Sequence, residues 1–253
     1  MIENQNFGGN DVKHFKSGFP GKTTLASGSY EYFIYETLEN EVLNFTGLGS
    51  FTIYIFYKSE GAFIVVDELL EKPQQGDCIQ IENCPVVLKI SGGIVKLLIA
   101  GTSAPHPTLK GLFFTKHADI YKVEKPWGFE LWINEEHPCY AFKKIFIKAG
   151  TKTSLQYHNF KKETNVFFQG TAKLHYKRNP MIANDLVTNT DMAYTVLEPV
   201  SVLDVVPKTL HRVEAITDIT TFETSTPQLD DVIRLQDDSN RANGKLLEEH
   251  VIY

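Results

Sequence analysis

The chain has few cysteines, no basic surplus and no long apolar run, and each shortage removes a class of protein. Its three cysteines, Cys78, Cys84 and Cys139, give neither an even disulfide set nor a CxxC pair, so idle thiols in a reducing cytosol are expected. With 25 Lys and Arg against 31 Asp and Glu, the formal net charge is -6. That balance lacks the basic stripe needed to hold a phosphate backbone, and no nucleic-acid partner is expected. The longest apolar stretches, such as "AFIVV" and "IVKLLIA", are strand-length and too short to span a bilayer as helices, so no membrane partner is expected. The opening "MIENQNFGGN" has no positive region followed by an apolar one, which points to a cytoplasmic chain. One nucleotide motif also fails: in "SGFPGKTT" two residues separate Gly18 from Gly21, where a phosphate-binding loop needs four and then a helix.

What the sequence does hold is strand after strand. "SYEYFIYETL", "SFTIYIFYK", "GAFIVVDELL", "PVVLKI" and "VKLLIAG" are rich in β-branched and aromatic residues, and the style resumes with "FELWIN", "YAFKKIFIKAG", "TNVFFQGTAKLHYKR" and "HRVEAIT". Gly, Pro, Asn and Asp punctuate them at short intervals, as in an all-β sandwich or barrel. Helical periodicity is scarce; "LDDVIRLQDDSNRAN" predicts a short C-terminal helical segment. The charged, Pro- and Gly-containing "TKHADIYKVEKPWG" breaks the rhythm and suggests two domains, residues 1–118 and 119–253, each the size of one small barrel.

The stretch "GTKTSLQYHNFKKETNVFFQG" carries the chemistry. Gln156 and His158 are two apart, so on a strand they share a face. The polar tetrapeptide before Glu163 is long enough to turn the chain back beside His158. His211, in "VVPKTLHRVEA", enters a strand after a Pro-led turn. Taken singly, each is an ordinary polar residue. Together they offer two imidazole nitrogens, a carboxylate oxygen and an amide oxygen, a set that suits zinc first, and also manganese, iron, cobalt or nickel.

From Gly150 the spacing runs five residues, Gln156-x-His158, four residues, Glu163, six residues, Gly170. This resembles the first motif of the cupins, with Gln in place of the first His. "KPWGFELWI", the Gln156–Glu163 segment, "HRVEA" and "DDVIRLQDDSNR" narrow the resemblance to the cupin domain of type II mannose-6-phosphate isomerases, over roughly residues 121–241. Phe160 stands where that group often has a third His, and "PKTLH" is one residue shorter than the second cupin motif and lacks its Gly.

The resemblance implies a bicupin of two jelly-roll barrels, the second carrying a divalent metal on Gln156, His158, Glu163 and His211. It implies aldose–ketose isomerisation of a small sugar phosphate, in activated-sugar or surface-polysaccharide synthesis. Lys143 and Arg234 match family positions and are the candidate catalytic or phosphate-contacting cations. No ligand set is evident in the first barrel, whose default role is support or contact within a homodimer. The alternatives are a non-catalytic sugar-binding bicupin and another metalloenzyme of the same fold, an epimerase or an iron oxygenase using His158, Glu163 and His211.

Overall fold

The protein is described from a computed structural model covering residues 2–7, 10–15, 21–24, 30–37, 40–47, 49–67, 72–103, 108–134, 137–178, 192–246 and 249. It is all-β: the helical content of the described residues is one 3-10 turn, His117–Asp119. None of these residues forms a helix long and apolar enough to cross a membrane. The chain makes two compact units that interleave in sequence. One comprises Met1–Lys16, Lys122–Trp132 and Lys143–Tyr253; the other, Ser17–Tyr121 and Ile133–Phe142.

The first unit has two sheets. The larger runs in the order Ile2–Phe7, Asn10–Phe15, Ser201–Val205, Glu163–Gln169, Ile219–Ser225, Ala141–Ile147, Gly128–Trp132 and Tyr121–Lys125. The smaller runs Ala193–Leu197, Ala172–Arg178, Thr209–Ala215, Leu155–Tyr157 and Ile233–Gln236. Alternate residues of these strands turn inward, and the inward set changes character along each strand. Lys143, Ile145 and Ile147 pass from charged to apolar, as do Glu163, Asn165 and Phe167, and His211, Val213 and Ala215; the oppositely directed Ile219, Thr221 and Glu223 reads in reverse. One end of the interior is therefore an apolar core of Ile145, Ile147, Phe167, Leu174, Leu203 and neighbours, and the other end is polar.

In the second unit a six-stranded sheet runs Gly111–Thr115, Cys78–Glu82, Ser50–Lys58, Val95–Thr102, Glu31–Glu36 and Gly21–Thr24. A three-stranded sheet of Glu41–Thr46, Pro85–Ser91 and Phe63–Val66 completes it. Between its two sheets Phe33, Ile53, Ile55, Ile79, Ile81, Leu88, Ile90, Leu97 and Ile99 form an apolar core. The lysine-bearing "GKTT" that mimics a phosphate loop is the edge strand of this unit's larger sheet.

The predicted C-terminal helix is corrected. Ile233–Gln236 is a strand, with Leu155 opposite Gln236 and Gln156 opposite Arg234. Pairing to the edge of a buried sheet outweighs the weak helical preference of "VIRLQ", which is also β-branched at two positions. Beyond it, Asp237 accepts from the backbone and guanidinium of Arg241, closing a loop rather than a helical turn.

Candidate metal centre

Three of the residues singled out in the sequence come together. His158, Glu163 and His211 are buried, and each presents a ligand atom within 4.8 Å of the others. His158 Nε2 lies 3.4 Å from Glu163 Oε2, and His211 Nε2 lies 3.4 Å from Glu163 Oε1. The Pro-led turn places His211: Thr209 N–H donates to the Val206 carbonyl, and Lys208 takes the left-handed φ of +65° that Gly fills in the longer form of this turn.

The tautomers follow from the partners. His158 Nδ1 donates to the Asp231 carbonyl and His211 Nδ1 to the Thr209 carbonyl. A carbonyl only accepts, so each ring spends its N–H on the backbone and turns a bare Nε2 toward the carboxylate. His158 Nε2 is buried without a hydrogen-bond partner among the described residues. Two nitrogen lone pairs facing carboxylate lone pairs repel unless a cation lies among them. The donor set therefore fits a divalent metal ion.

Asp231 fixes this arrangement. Besides its carbonyl, its carboxylate accepts the backbone N–H groups of Asn159, Phe160 and Lys161 at 2.9, 2.5 and 2.9 Å, holding the turn between His158 and Glu163. Burial would raise this carboxyl, but those three donors and His158 outweigh it and keep it below the usual range. Local sequence does not reveal this role, because the groups that Asp231 engages lie about 70 residues earlier in the chain.

Gln156 lies directly across from His211 on the neighbouring strand and lines the same cavity. Its Oε1 accepts from the Ser154 hydroxyl at 2.6 Å. Lys143 also lines the cavity, 4.1 Å from the Trp132 ring and 3.6 Å from Glu130 Oε2. Arg234 lines it too, but one guanidinium nitrogen donates to the Ala242 and Gly244 carbonyls, while its Nε is buried without a hydrogen-bond partner among the described residues. Trp127 is buried against the apolar end. Arg212 points away from His211 and donates to the Thr153 and Gln236 carbonyls; Glu214 likewise turns outward, to His175. Phe160, in place of a third His, is 76% exposed.

The cavity, about 120 Å³, also holds charges that the sequence reasoning missed. Lys161 is buried and donates to Glu163 Oε2 and Glu223 Oε1, both at 2.7 Å. Burial raises the Glu163 carboxyl, but the Lys161 ammonium beside it outweighs this and holds it well below the usual range. Glu130 is likewise pushed up by burial and pulled down further by Lys143, Lys125 and the Trp132 N–H, to about 2. The signal for two of them in the sequence is parity: Glu130 and Glu223, like Lys143 and Glu163, fall on the inward positions of apolar strands.

Comparison with known proteins agrees with this geometry. The family model described as mannose-6-phosphate isomerase C-terminal matches residues 114–237. No curated protein sequence matches the chain. Similar solved structures include an IolB-like protein from Salmonella typhimurium, with 10% identity over 94% of this chain and 97% of that one, at a TM-score of 0.65. Oxalate decarboxylase from Lactobacillus farciminis, in a formate complex, has 10% identity over 92% and 86% of the two chains, at 0.62. Oxalate decarboxylase from Bacillus subtilis, described with its Mn(II) centres, has 10% identity over 92% and 77%, at 0.62. At such identities the likeness is one of fold.

Proposed function

We propose that this chain, a double-barrelled cupin whose residues 114–237 resemble the C-terminal domain of mannose-6-phosphate isomerases, is a metal-dependent aldose–ketose isomerase of sugar phosphates that serves activated-sugar or surface-polysaccharide synthesis. The observation that carries the reading is the pair of imidazoles whose N–H groups are committed to backbone carbonyls while both Nε2 atoms face Glu163. His158, Glu163 and His211 would hold the ion, with Gln156 as the fourth ligand on exchanging its Ser154 contact. Zinc suits the donors, as do manganese, iron, cobalt and nickel. Bound there, the ion supplies Lewis acidity and a template for two adjacent sugar oxygens.

The chain's own residues supply the rest. Six Lys and Arg line the cavity against four Glu, so the space has a positive surplus before any metal is counted and suits an anionic substrate. Lys143, Lys245 and Arg234 are placed to meet a phosphate, Arg234 through the Nε that lacks a partner among the described residues; guanidinium and ammonium groups are the usual partners of that anion. The apolar end of the barrel closes the cavity from below and excludes water from a reacting carbanion.

A second reading is favoured by one contact. With Gln156 Oε1 engaged by Ser154, two His and one carboxylate remain, the donor set of non-heme iron oxygenases. Metal analysis of the purified chain beside Gln156→Ala and His158→Ala, with turnover of mannose 6-phosphate and dioxygen uptake followed in parallel, separates the two. Stoichiometric metal lost in both variants, with aldose–ketose conversion, is the expected result. Metal kept without Gln156 together with iron-dependent oxygen uptake supports the oxygenase, and a chain that binds no metal after reloading defeats both.

A further inference from the structure

An isomerisation of this kind needs a base, and the cavity's carboxylates differ in what they have left to give. Glu163 faces the two imidazoles. Glu130 accepts from Trp132 Nε1 at 2.8 Å beside Lys143 and Lys125, and its depressed carboxyl makes it a weak base. Glu249 is bound by Lys125 at 2.6 Å and Arg241 at 3.4 Å. Glu223 is different. Its Oε1 accepts one bond, from Lys161, and its Oε2 accepts none among the described residues.

Its position is equally distinct. Glu223 pairs across the sheet with Asn165, one inward position from Glu163, and the same Lys161 ammonium bridges the two carboxylates. The two acids are thus two hydrogen bonds apart, one set toward the imidazoles and the other toward the open cavity. Lys161 arrives from the turn before Glu163, Lys143 from the neighbouring strand, and His211 from the facing sheet; all three line the same cavity as Glu223, together with Glu163 and Glu130.

We infer that Glu223 is the proton-carrying base of the isomerisation, with Lys161 as the positioning residue that fixes one of its oxygens and leaves the other for the sugar; this rests on the function proposed above. Glu223 Oε2 takes the proton from the carbon beside the carbonyl. The electron pair of the broken C–H bond becomes the C=C bond of an enediolate, and the carbonyl π pair moves onto its oxygen. The hydroxyl proton passes between the two adjacent oxygens of the cis-enediolate, and the protonated Glu223 returns its own proton to the neighbouring carbon as the carbonyl re-forms at the other position. Glu223 ends as the carboxylate it began as, and no co-reactant is consumed.

The test uses the metal-loaded full chain with fructose 6-phosphate in D2O, comparing the wild type with Glu223→Gln and Glu223→Asp. The expected result is conversion and carbon-bound deuterium in the wild type, with kcat lowered by about 10²- to 10⁴-fold in Glu223→Gln and deuterium incorporation lowered in step. KM should stay within about threefold, and metal content should not change. Glu223→Asp should recover part of kcat with a displaced acidic limb of the pH profile, which a merely structural role would not move. Glu223→Gln that keeps wild-type kcat, or that loses its metal along with activity, overturns the assignment while leaving the isomerase standing. A folded, metal-loaded wild type that neither converts nor exchanges the sugar overturns both.

Discussion

Each unit buries a histidine against a glutamate, and the two pairs are wired in opposite senses. In the second unit, His137 Nδ1 accepts the Cys139 backbone N–H at 3.2 Å. Its N–H is therefore on Nε2, 3.1 Å from Glu82 Oε1 and 3.0 Å from the Ser50 hydroxyl, an ordinary donor meeting an ordinary acceptor. In the other unit the backbone takes the N–H of both His158 and His211, and the bare nitrogens meet the carboxylate. The residue types are the same; which ring nitrogen the main chain engages decides whether the contact closes by itself or calls for a cation.

The comparison breaks most sharply at His137. His137→Ala takes a donor from buried Glu82, whose other oxygen already lacks a partner among the described residues, and leaving a buried carboxylate short of its donor costs about 3 kcal/mol or more. Chemical denaturation should show that loss while metal content stays at the wild-type level; the reverse pattern, a stable variant depleted of metal, would show that the two pairs are not of different kinds. Acid sharpens it next. Glu130 in the charged cavity is held at about 2 against an ordinary 4.5, so it stabilises the fold above 4.5 and ceases to as pH falls through 2. About 3 kcal/mol should disappear across that window, and Glu130→Gln should flatten this part of the stability curve. The smallest effect is expected at Asp231→Ala, which frees the turn after His158. Metal affinity measured by competition with a chelator should drop by about 10- to 100-fold, and an unchanged affinity would mean that the turn holds itself.

Much of this was legible in advance. The strand content follows from short β-branched runs between turn residues, and the Gly150-to-Gly170 spacing brought His158 and Glu163 into view before any coordinates. His211 needed only the Pro-led turn before it. What stayed hidden depends on contacts remote in the chain. Ile233–Gln236 is a strand because Leu155–Tyr157 offers it an edge, which local periodicity does not record. Lys161 is one of two lysines in a polar turn, and nothing local marks it as buried; its partner Glu223 lies 62 residues on. Gln156 pairs across the sheet with His211, yet its bond to Ser154 is a side-chain choice that spacing leaves open.

The Asp231 clamp also sets an order of manufacture. His158 and Glu163 leave the ribosome long before Asp231, which lies 73 residues after the imidazole it orients. Until that later segment is made and docked, the nascent chain offers an ion only a loose histidine and an acid on an untethered turn. Under the proposed function, choice of metal would thereby be deferred to the finished barrel, where fixed geometry, rather than raw affinity for the first imidazole to emerge, would decide which ion stays.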